Sequence, residues 1–336
     1  NKRKEAEEKG FFSKLALGHV SIDGTKVKAN ASRHSAMSYG RMVEEENRLK
    51  GEIESYLKEV EKIDKEEDKK HGKKSGNELP EEIKLKSKRV KAISDAKKAL
   101  EEEAREKAKK EQEKRKEEAE KEGRDFKPRK NPEDAKPEDK AQRNFTDSES
   151  RIMKSSEKSF IQAYNAQAAV DAETQIIVDA FVTNVADDKH SLPPLVEGTI
   201  DNTGKIPAEV SADTGLYSEE NLKVLKDKGI EAFIPPEKIS HKEWRNMETL
   251  PPDKIPDNIT PKERMRRKLK TKLGKERYKL RMTSVEPVFG QIKEGRGLRQ
   301  FLLRGLEKVN SLWRIDCAVH NLLKIFRAKR RLQPAV

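Results

Sequence analysis

The chain contains a single cysteine, no long apolar run and few apolar residues of any kind. Cys317 alone cannot close an internal disulfide or supply a cysteine-based zinc site, and such sparing use fits a reducing compartment. No stretch approaches the roughly 18 consecutive apolar residues that a membrane helix needs, so a membrane partner is excluded. The first ten residues, NKRKEAEEKG, lack the apolar centre of a secretory signal, and these absences together point to the cytoplasm. The sequence starts at Asn1 rather than Met, so an upstream piece is expected. Only 33% of the 336 residues are apolar while 40% are charged, too polar an average for one uniform globule. A charged, non-globular segment beside an ordinary domain is the expected arrangement.

The distribution of charge bears this out within the sequence itself. The 74 Lys and Arg exceed the 61 Asp and Glu by 13. Residues 41–140 hold 31 basic and 30 acidic residues, a dense but nearly neutral block. Residues 1–40 carry a net +4, residues 141–240 a net −7 and residues 241–336 a net +15. A neutral block of such density reads as solvated helix, whereas the basic C-terminal quarter reads as a footprint for a polyanion.

Within 41–123, Val43, Leu49, Ile53, Tyr56, Val60 and Ile63 recur at helical spacing. A break follows at HGKKSGNELP, and a second stripe runs through Ile83, Val90, Ile93, Leu100 and Ala104. Two amphipathic helices joined by a short break predict a charged helical hairpin. It could serve as a dimerisation arm or straddle DNA, but a run of charge is more often a solvated spacer. Residues 124–146, with Pro128, Pro132 and Pro137, read as a linker.

The rest alternates between strand and helix. HVSIDGTKVKA (19–29) predicts a short strand or strand pair with a turn at Asp23-Gly24. Residues 160–186 read as two strands joined near 171–174, residues 188–201 as a helix, and IPAEVSAD (206–213) as a strand ending on an acid. SEENLKVLKDKG (218–229) has a Ser N-cap and a terminal Gly, and IEAFIPP (230–236) is a strand closed by prolines. Thr260-Pro261-Lys262-Glu263 is a capping box opening a helix with Arg264, Arg266, Arg267, Lys268, Lys270 and Lys272. A last helical stretch covers roughly 284–330, interrupted around Gly295, Gly297 and Gly305. This order predicts an α/β fold with a mixed sheet.

Cleaving a phosphodiester requires neutralising charge on its oxygens, commonly with two Mg²⁺ ions held by about three carboxylates. Asp23, Asp213 and Glu286 stand at predicted strand ends or just inside a helix. An acid in such a place is singly more often a turn former or cap, so it is the joint pattern that points to a site. Asp171 and Asp179 flank a hairpin, while Asp187 and Asp188 precede a helix and could cap it. Asn165 and Gln167, polar residues in a strand pattern, could reach DNA or, more simply, bond across strands. His34, His190 and His320 share no ligand spacing. Val309, Trp313 and Cys317 lie on one helical face and read as core.

SIDGTKVKANAS (21–32), YNAQAAVD (164–171), SADTGLYSEENL (211–222) and SVEPVFGQIKEGRGLRQFLLRGLEKV (284–309) together resemble the DDE transposases of bacterial insertion sequences. The resemblance covers residues 15–36 and 145–325. It implies an RNase H-like core, a mixed five-stranded sheet flanked by helices, here interrupted by the charged hairpin. The resulting division is 1–40 for the start of the core, 41–123 for the insertion, 124–146 for the linker and 147–330 for the remainder. The resemblance assigns Asp23, Asp213 and Glu286 as catalytic and metal-binding residues. Tyr278, Arg281, Glu286 and Lys293 fill the family's signature around the third acid, although Arg281 lies five residues before Glu286, one more than the family spacing. Arg281 and Lys293 are expected at the terminal phosphates of the element. Glu286 and Lys293, seven apart, should share a helical face. Asp147, in FTDSESRIM, is expected to shape the rim of the site.

The resemblance thus implies a bacterial transposase with two Mg²⁺ ions, for which Mn²⁺ could substitute. It would nick transposon ends by hydrolysis and join the 3′-OH to target DNA. The basic residues Arg264, Arg266, Arg267, Arg296 and Arg304, with Tyr278, Arg281 and Lys293, would bind double-stranded DNA, both terminal inverted repeats and target. A homodimer in the DNA complex is expected, because two ends must be brought together. The competing readings are a transposase-derived DNA-binding protein without activity and a coiled-coil interaction protein; the latter leaves the acids and the polarised charge unexplained.

Overall fold

The computed structural model describes residues 17–71, 81–126, 128, 131–155, 159–238, 249 and 259–332. The chain divides into two compact units, Asn1–Asn30 with Ser150–Val336, and Ala31–Glu149.

The first unit is built on strand β1, His19–Lys28, which runs uninterrupted through Asp23-Gly24. The turn expected there does not form. Strand β5, Phe160–Asp171, pairs antiparallel with it from Val20 opposite Asp171 to Lys28 opposite Ala163, and this ladder overrides the local turn preference. Strand β6, Ile177–Thr183, follows β5 through a turn in which Asp171 Oδ2 accepts from Thr174 N (2.9 Å) and Oγ1 (2.6 Å). Strands β7, Glu209–Ala212, and β8, Glu231–Phe233, lie parallel on the other side of β1. Across its middle the sheet reads β6-β5-β1-β7-β8. It has six strands rather than five, because β4, Arg151–Lys154, pairs with the first residues of β5. The sequence predicts no strand over this four-residue stretch.

Alternation along β1 sends Val20 and Ile22 to one face and Ser21, Asp23 and Val27 to the other. The first face packs on helix α3, Leu192–Thr203, through Leu192, Leu195 and Val196, and on helix α4, Glu219–Asp227, through Leu225. Ser218 caps α4, accepting from Asn221 N at 3.0 Å, and Gly229 follows it at φ +72°. Helix α5, Pro261–Lys270, closes the same core with Met265 and Leu269. The Thr260 half of its capping box forms, with Thr260 Oγ1 accepting from Glu263 N at 3.2 Å, while the Glu263 carboxylate turns to Arg266 and Arg267.

Lys272 does not belong to that helix. The chain turns at Thr271, which is extended and caps helix α6, Lys272–Thr283. A Cβ on Gly274 would stand 2.0 Å from the carbonyl oxygen of Lys268, so this corner admits only glycine. Helix α7, Val285–Gly290, tolerates Pro287 in its first turn and passes into a π turn over Gln291–Gly295. Helix α8, Leu306–Leu332, then buries Val309, Trp313 and Cys317 against the second face with Val285, Val288, Ala166 and Ala168. Among the described residues no helix is long and apolar enough to cross a membrane.

The second unit contains two long helices, α1 (Tyr39–His71) and α2 (Glu81–Lys121), and the short antiparallel pair β2 (Ala36–Ser38) and β3 (Gln142–Asn144). The break between the helices lies almost wholly outside the described residues. Its core is small: Met42, Leu49, Ile93, Ala96 and Leu100. The buried edge of α1 runs through Met42 and Leu49, with Val43 only half-buried. Glu46 is buried between them and bonds Lys50 Nζ (2.7 Å) and Lys97 Nζ (2.5 Å), which satisfies its charge. The proline-bearing segment before Glu149 is not all linker, since it supplies β3. Asp147 belongs to this unit and is buried, its N–H donated to Asn144 Oδ1 at 3.1 Å.

Candidate active site

Asp23 lies mid-strand, at the first residue beyond the β7 ladder, whose last pair is Ile22 opposite Ala212. Asp213 follows β7 directly. Two parallel neighbours therefore deliver both acids to the C-terminal end of the sheet, where α/β sheets open a crevice. Asp213 Oδ1 accepts from Gly215 N at 2.7 Å. Asp23 Oδ1 accepts from Gly24 N at 2.9 Å, and its Oδ2 accepts from Arg281 Nη2 at 2.8 Å. Arg281 Nη1 also donates to Tyr278 Oη at 3.2 Å, so a second residue of α6 braces the guanidinium that meets the carboxylate.

Burial pushes the Asp23 carboxyl up to about 6, against the pull of Arg281 and with the like charge of Asp213 adding to it. Burial also works against the charge of Arg281, but the surrounding Asp23, Tyr278, Asp213 and Glu286 outweigh it and hold the guanidinium charged. Glu286, in the first turn of α7, is thus within electrostatic reach of Arg281. The Tyr278 hydroxyl is raised, chiefly by burial.

The sequence reading of Asp188 as a cap is overturned. It makes no side-chain cap bond. Instead its Oδ1 takes Asn165 Nδ2 at 2.6 Å, Gln167 Nε2 at 2.7 Å and Lys26 Nζ at 3.1 Å. A Cβ on Gly215 would lie 3.0 Å from Asp213 Oδ1 and 3.4 Å from Asp188 Oδ2, so the two acids converge on one glycine. Asn165 and Gln167 are fully buried and serve this acid rather than a surface. The signal in the sequence was the polar pair inside an otherwise apolar strand, which required a buried partner. Asp187, one residue before the cap position, accepts from Lys189 N at 3.1 Å.

Residues 253–326 match the transposase DDE domain family. The match supports a DDE transposase. It spans Tyr278, Arg281, Glu286 and Lys293 and leaves Asp23 and Asp213 outside. No curated protein and no solved structure matches the chain.

Within the matched segment, Glu286 stands in the first turn of α7 and Lys293 in the π turn that follows it. Lys293 Nζ reaches β1, donating to the carbonyl oxygen of Lys26 at 3.0 Å, and burial lowers its pKa. Arg266 pairs with Glu263 (2.5 Å) and Glu237 (2.7 Å), and Arg267 with Glu263 (3.1 Å). Arg264 stands on the same helix. Arg296 donates to the Asp316 carbonyl oxygen at 3.0 Å and Arg304 to that of Asn30 at 2.9 Å, both fastening loops. His34 and His190 show no ligand cluster, and His320 Nε2 meets the Gln175 carbonyl oxygen at 3.0 Å.

Asp23 and Asp213 fit a hard divalent cation in donor chemistry: both are oxygen ligands, and Asp23 is a desolvated acid crowded by a like charge. Among the described residues, however, no three His, Cys, Asp or Glu side chains stand close enough to share an ion. In this structure the countercharge of Asp23 is Arg281.

Proposed function

We propose that the protein is a DNA transposase of an insertion sequence, which nicks the element's ends by hydrolysis and joins the freed 3′-OH to target DNA. The observation that carries this reading is the meeting of Asp23 and Asp213, on adjacent parallel strands, with Arg281 from the segment that matches the DDE domain. The strand order, with one antiparallel strand beside β1 and two parallel ones across it, supports an RNase H-like core.

Asp23, Asp213 and Glu286 would hold two Mg²⁺ ions, or Mn²⁺ in their place, which supply an activated water and neutralise charge on the phosphoryl oxygens. Arg281 would then exchange Asp23 for a terminal phosphate of the DNA, as a planar guanidinium suits both partners. Lys26, paired with Asp188 at 3.1 Å, would have to leave that acid to meet the phosphate backbone. Residues 261–336, with 22 basic and 6 acidic residues, supply the electrostatic grip, which gives affinity without reading sequence. Pairing of two ends calls for a homodimer on DNA.

The test is Mg²⁺-dependent cleavage of DNA carrying the element's inverted repeats, with Asp23→Ala, Asp213→Ala and Glu286→Ala. Each substitution should abolish cleavage and leave DNA binding; full cleavage by any one of them removes that residue from the site. A second reading, a DNA-binding protein without activity, is favoured by the failure of three acids to converge. Retained DNA binding with no cleavage by the intact chain would select it.

A further inference from the structure

Each of the three acids has a serine two residues before it: Ser21 before Asp23, Ser211 before Asp213 and Ser284 before Glu286. All three serines are fully buried. They also touch one another. Ser21 sits opposite Ser211 in the parallel ladder, with their Oγ atoms 3.0 Å apart, and Ser284 Oγ lies 2.8 Å from Ser21 Oγ. Strands β1 and β7 and the α6–α7 junction, far apart in sequence, thus meet around the hydroxyl of Ser21.

The chain of hydroxyls has a defined end. His19 Nε2 lies 2.8 Å from Ser211 Oγ, and its Nδ1 lies 2.9 Å from Glu209 Oε2, which Arg277 Nε also approaches at 3.0 Å. Burial lowers the pKa of His19 and favours the neutral ring. A neutral His19 donates from Nδ1 to Glu209 and accepts at Nε2 from Ser211. Ser211 then accepts from Ser21, and Ser21 from Ser284, whose single proton is shared between Ser21 Oγ and the Leu280 carbonyl oxygen, 2.6 Å away. Apolar side chains would fill the same space without any such direction.

On a strand, residues i and i+2 share a face, so fixing the oxygens of Ser21 and Ser211 fixes the lateral spacing of Asp23 and Asp213. Ser284 immediately precedes α7 and makes no side-chain cap bond; its Oγ is tied to Ser21 and to the Leu280 carbonyl, which anchors the backbone two residues before Glu286. We infer that Ser21, Ser211 and Ser284, terminated by His19, form a clasp that positions the three acids relative to one another. The inference rests on the transposase reading of those acids; the serines are positioning residues and touch no substrate.

The experiment compares Ser21→Ala, Ser284→Ala, their double variant and Ser150→Ala, a buried serine of the same unit that accepts from Gln162 Nε2 at 2.8 Å. Cleavage kinetics on end DNA, affinity for that DNA and Mn²⁺ binding to the folded protein are measured for each. Ser21→Ala should lower kcat by about 10- to 100-fold, as expected for slight misplacement of reacting groups, with KM and DNA affinity unchanged. The double variant should be no worse than Ser21→Ala alone, because both remove the same chain. Ser150→Ala should cleave normally.

Mn²⁺ affinity should fall about tenfold in Ser21→Ala, the usual loss when a partner behind the ligands is removed. Unchanged kcat and Mn²⁺ affinity in folded Ser21→Ala overturn the clasp, as do losses that multiply in the double variant or that Ser150→Ala reproduces. If Ser21→Ala does not fold, Ser284→Ala, which leaves the sheet ladder intact, is read by the same criteria. If the intact protein cleaves nothing, the transposase reading fails by itself, and the clasp is decided by Mn²⁺ affinity.

Discussion

Arg281 Nη2 and Asp23 Oδ2, 258 positions apart in sequence, stand 2.8 Å apart with side chains only 9% and 17% exposed. The guanidinium supplies the positive charge that this buried acid needs, and it does so from the helix that also carries Tyr278. Removing one member of a buried pair leaves the other uncompensated. Arg281→Ala should therefore destabilise the fold by about 3 kcal/mol in urea unfolding at neutral pH. Arg281→Lys keeps the charge but cannot reach Asp23 and Tyr278 at once, so it should recover stability only in part.

The pH dependence follows from Asp23. Its folded pKa of about 6 lies above the ordinary 3.8, so folding favours the protonated acid. That contribution is complete below pH 4 and is lost as pH rises through 6. Replacing the acid by Asn removes it. Between pH 4 and 7 the stability of the intact protein should fall relative to Asp23→Asn by about 3 kcal/mol, measured as the difference between two urea titrations. A difference that rises instead would reverse the assigned shift.

Asp188→Ala should cost about 1–3 kcal/mol, since Asn165, Gln167 and Lys26 all lose their shared acceptor. Asp188→Asn, which still accepts through one oxygen, should lose less. Thermal unfolding of the two variants gives the comparison, and equal losses would mean that charge rather than acceptor capacity matters there.

Gly274→Ala should destabilise by about 1–3 kcal/mol, because its methyl meets backbone and not a movable side chain. The corner orients α6, so cleavage should fall with stability. A variant of unchanged melting temperature would show that the corner can open.

DNA affinity should fall linearly with salt on logarithmic axes, and Arg264→Ala should reduce the slope by about 1 if that residue holds one phosphate. Glu263→Gln should tighten binding, because it frees Arg267 and removes one of the two carboxylates that hold Arg266.

The elements between Phe160 and Lys270 were legible because their ends carry explicit punctuation: the Asp171 turn, the Ser218 cap, Gly229 and the box at Thr260. The uninterrupted β1 was not legible, since Asp23-Gly24 is a good local turn and only the distant β5 prevents it. The pairing of Asp23 with Arg281 was not legible either: the family signature sets Arg281 beside the third acid and at DNA phosphates, and its partner lies 258 residues away on β1. Asp188 escaped for a similar reason: caps are local and visible, whereas a buried acceptor for Asn165 and Gln167 depends on β5 and the loop after β6 meeting in space. The serines were on the page at a constant offset from each acid, yet serine in a strand carries no signal until its partners are known.

Ala163 has Lys28 as its neighbour on one side and Arg151 on the other. The chain therefore leaves the sheet and returns to it two strand spacings away, about 10 Å. The intervening stretch of more than a hundred residues is a detour whose two ends nearly coincide. No rung of the β1–β5 ladder uses a residue of that stretch. Replacing residues 31–149 by a short glycine-serine bridge should give a core that folds, and folds faster, because β1 and β5 would no longer have to find each other across so long a loop.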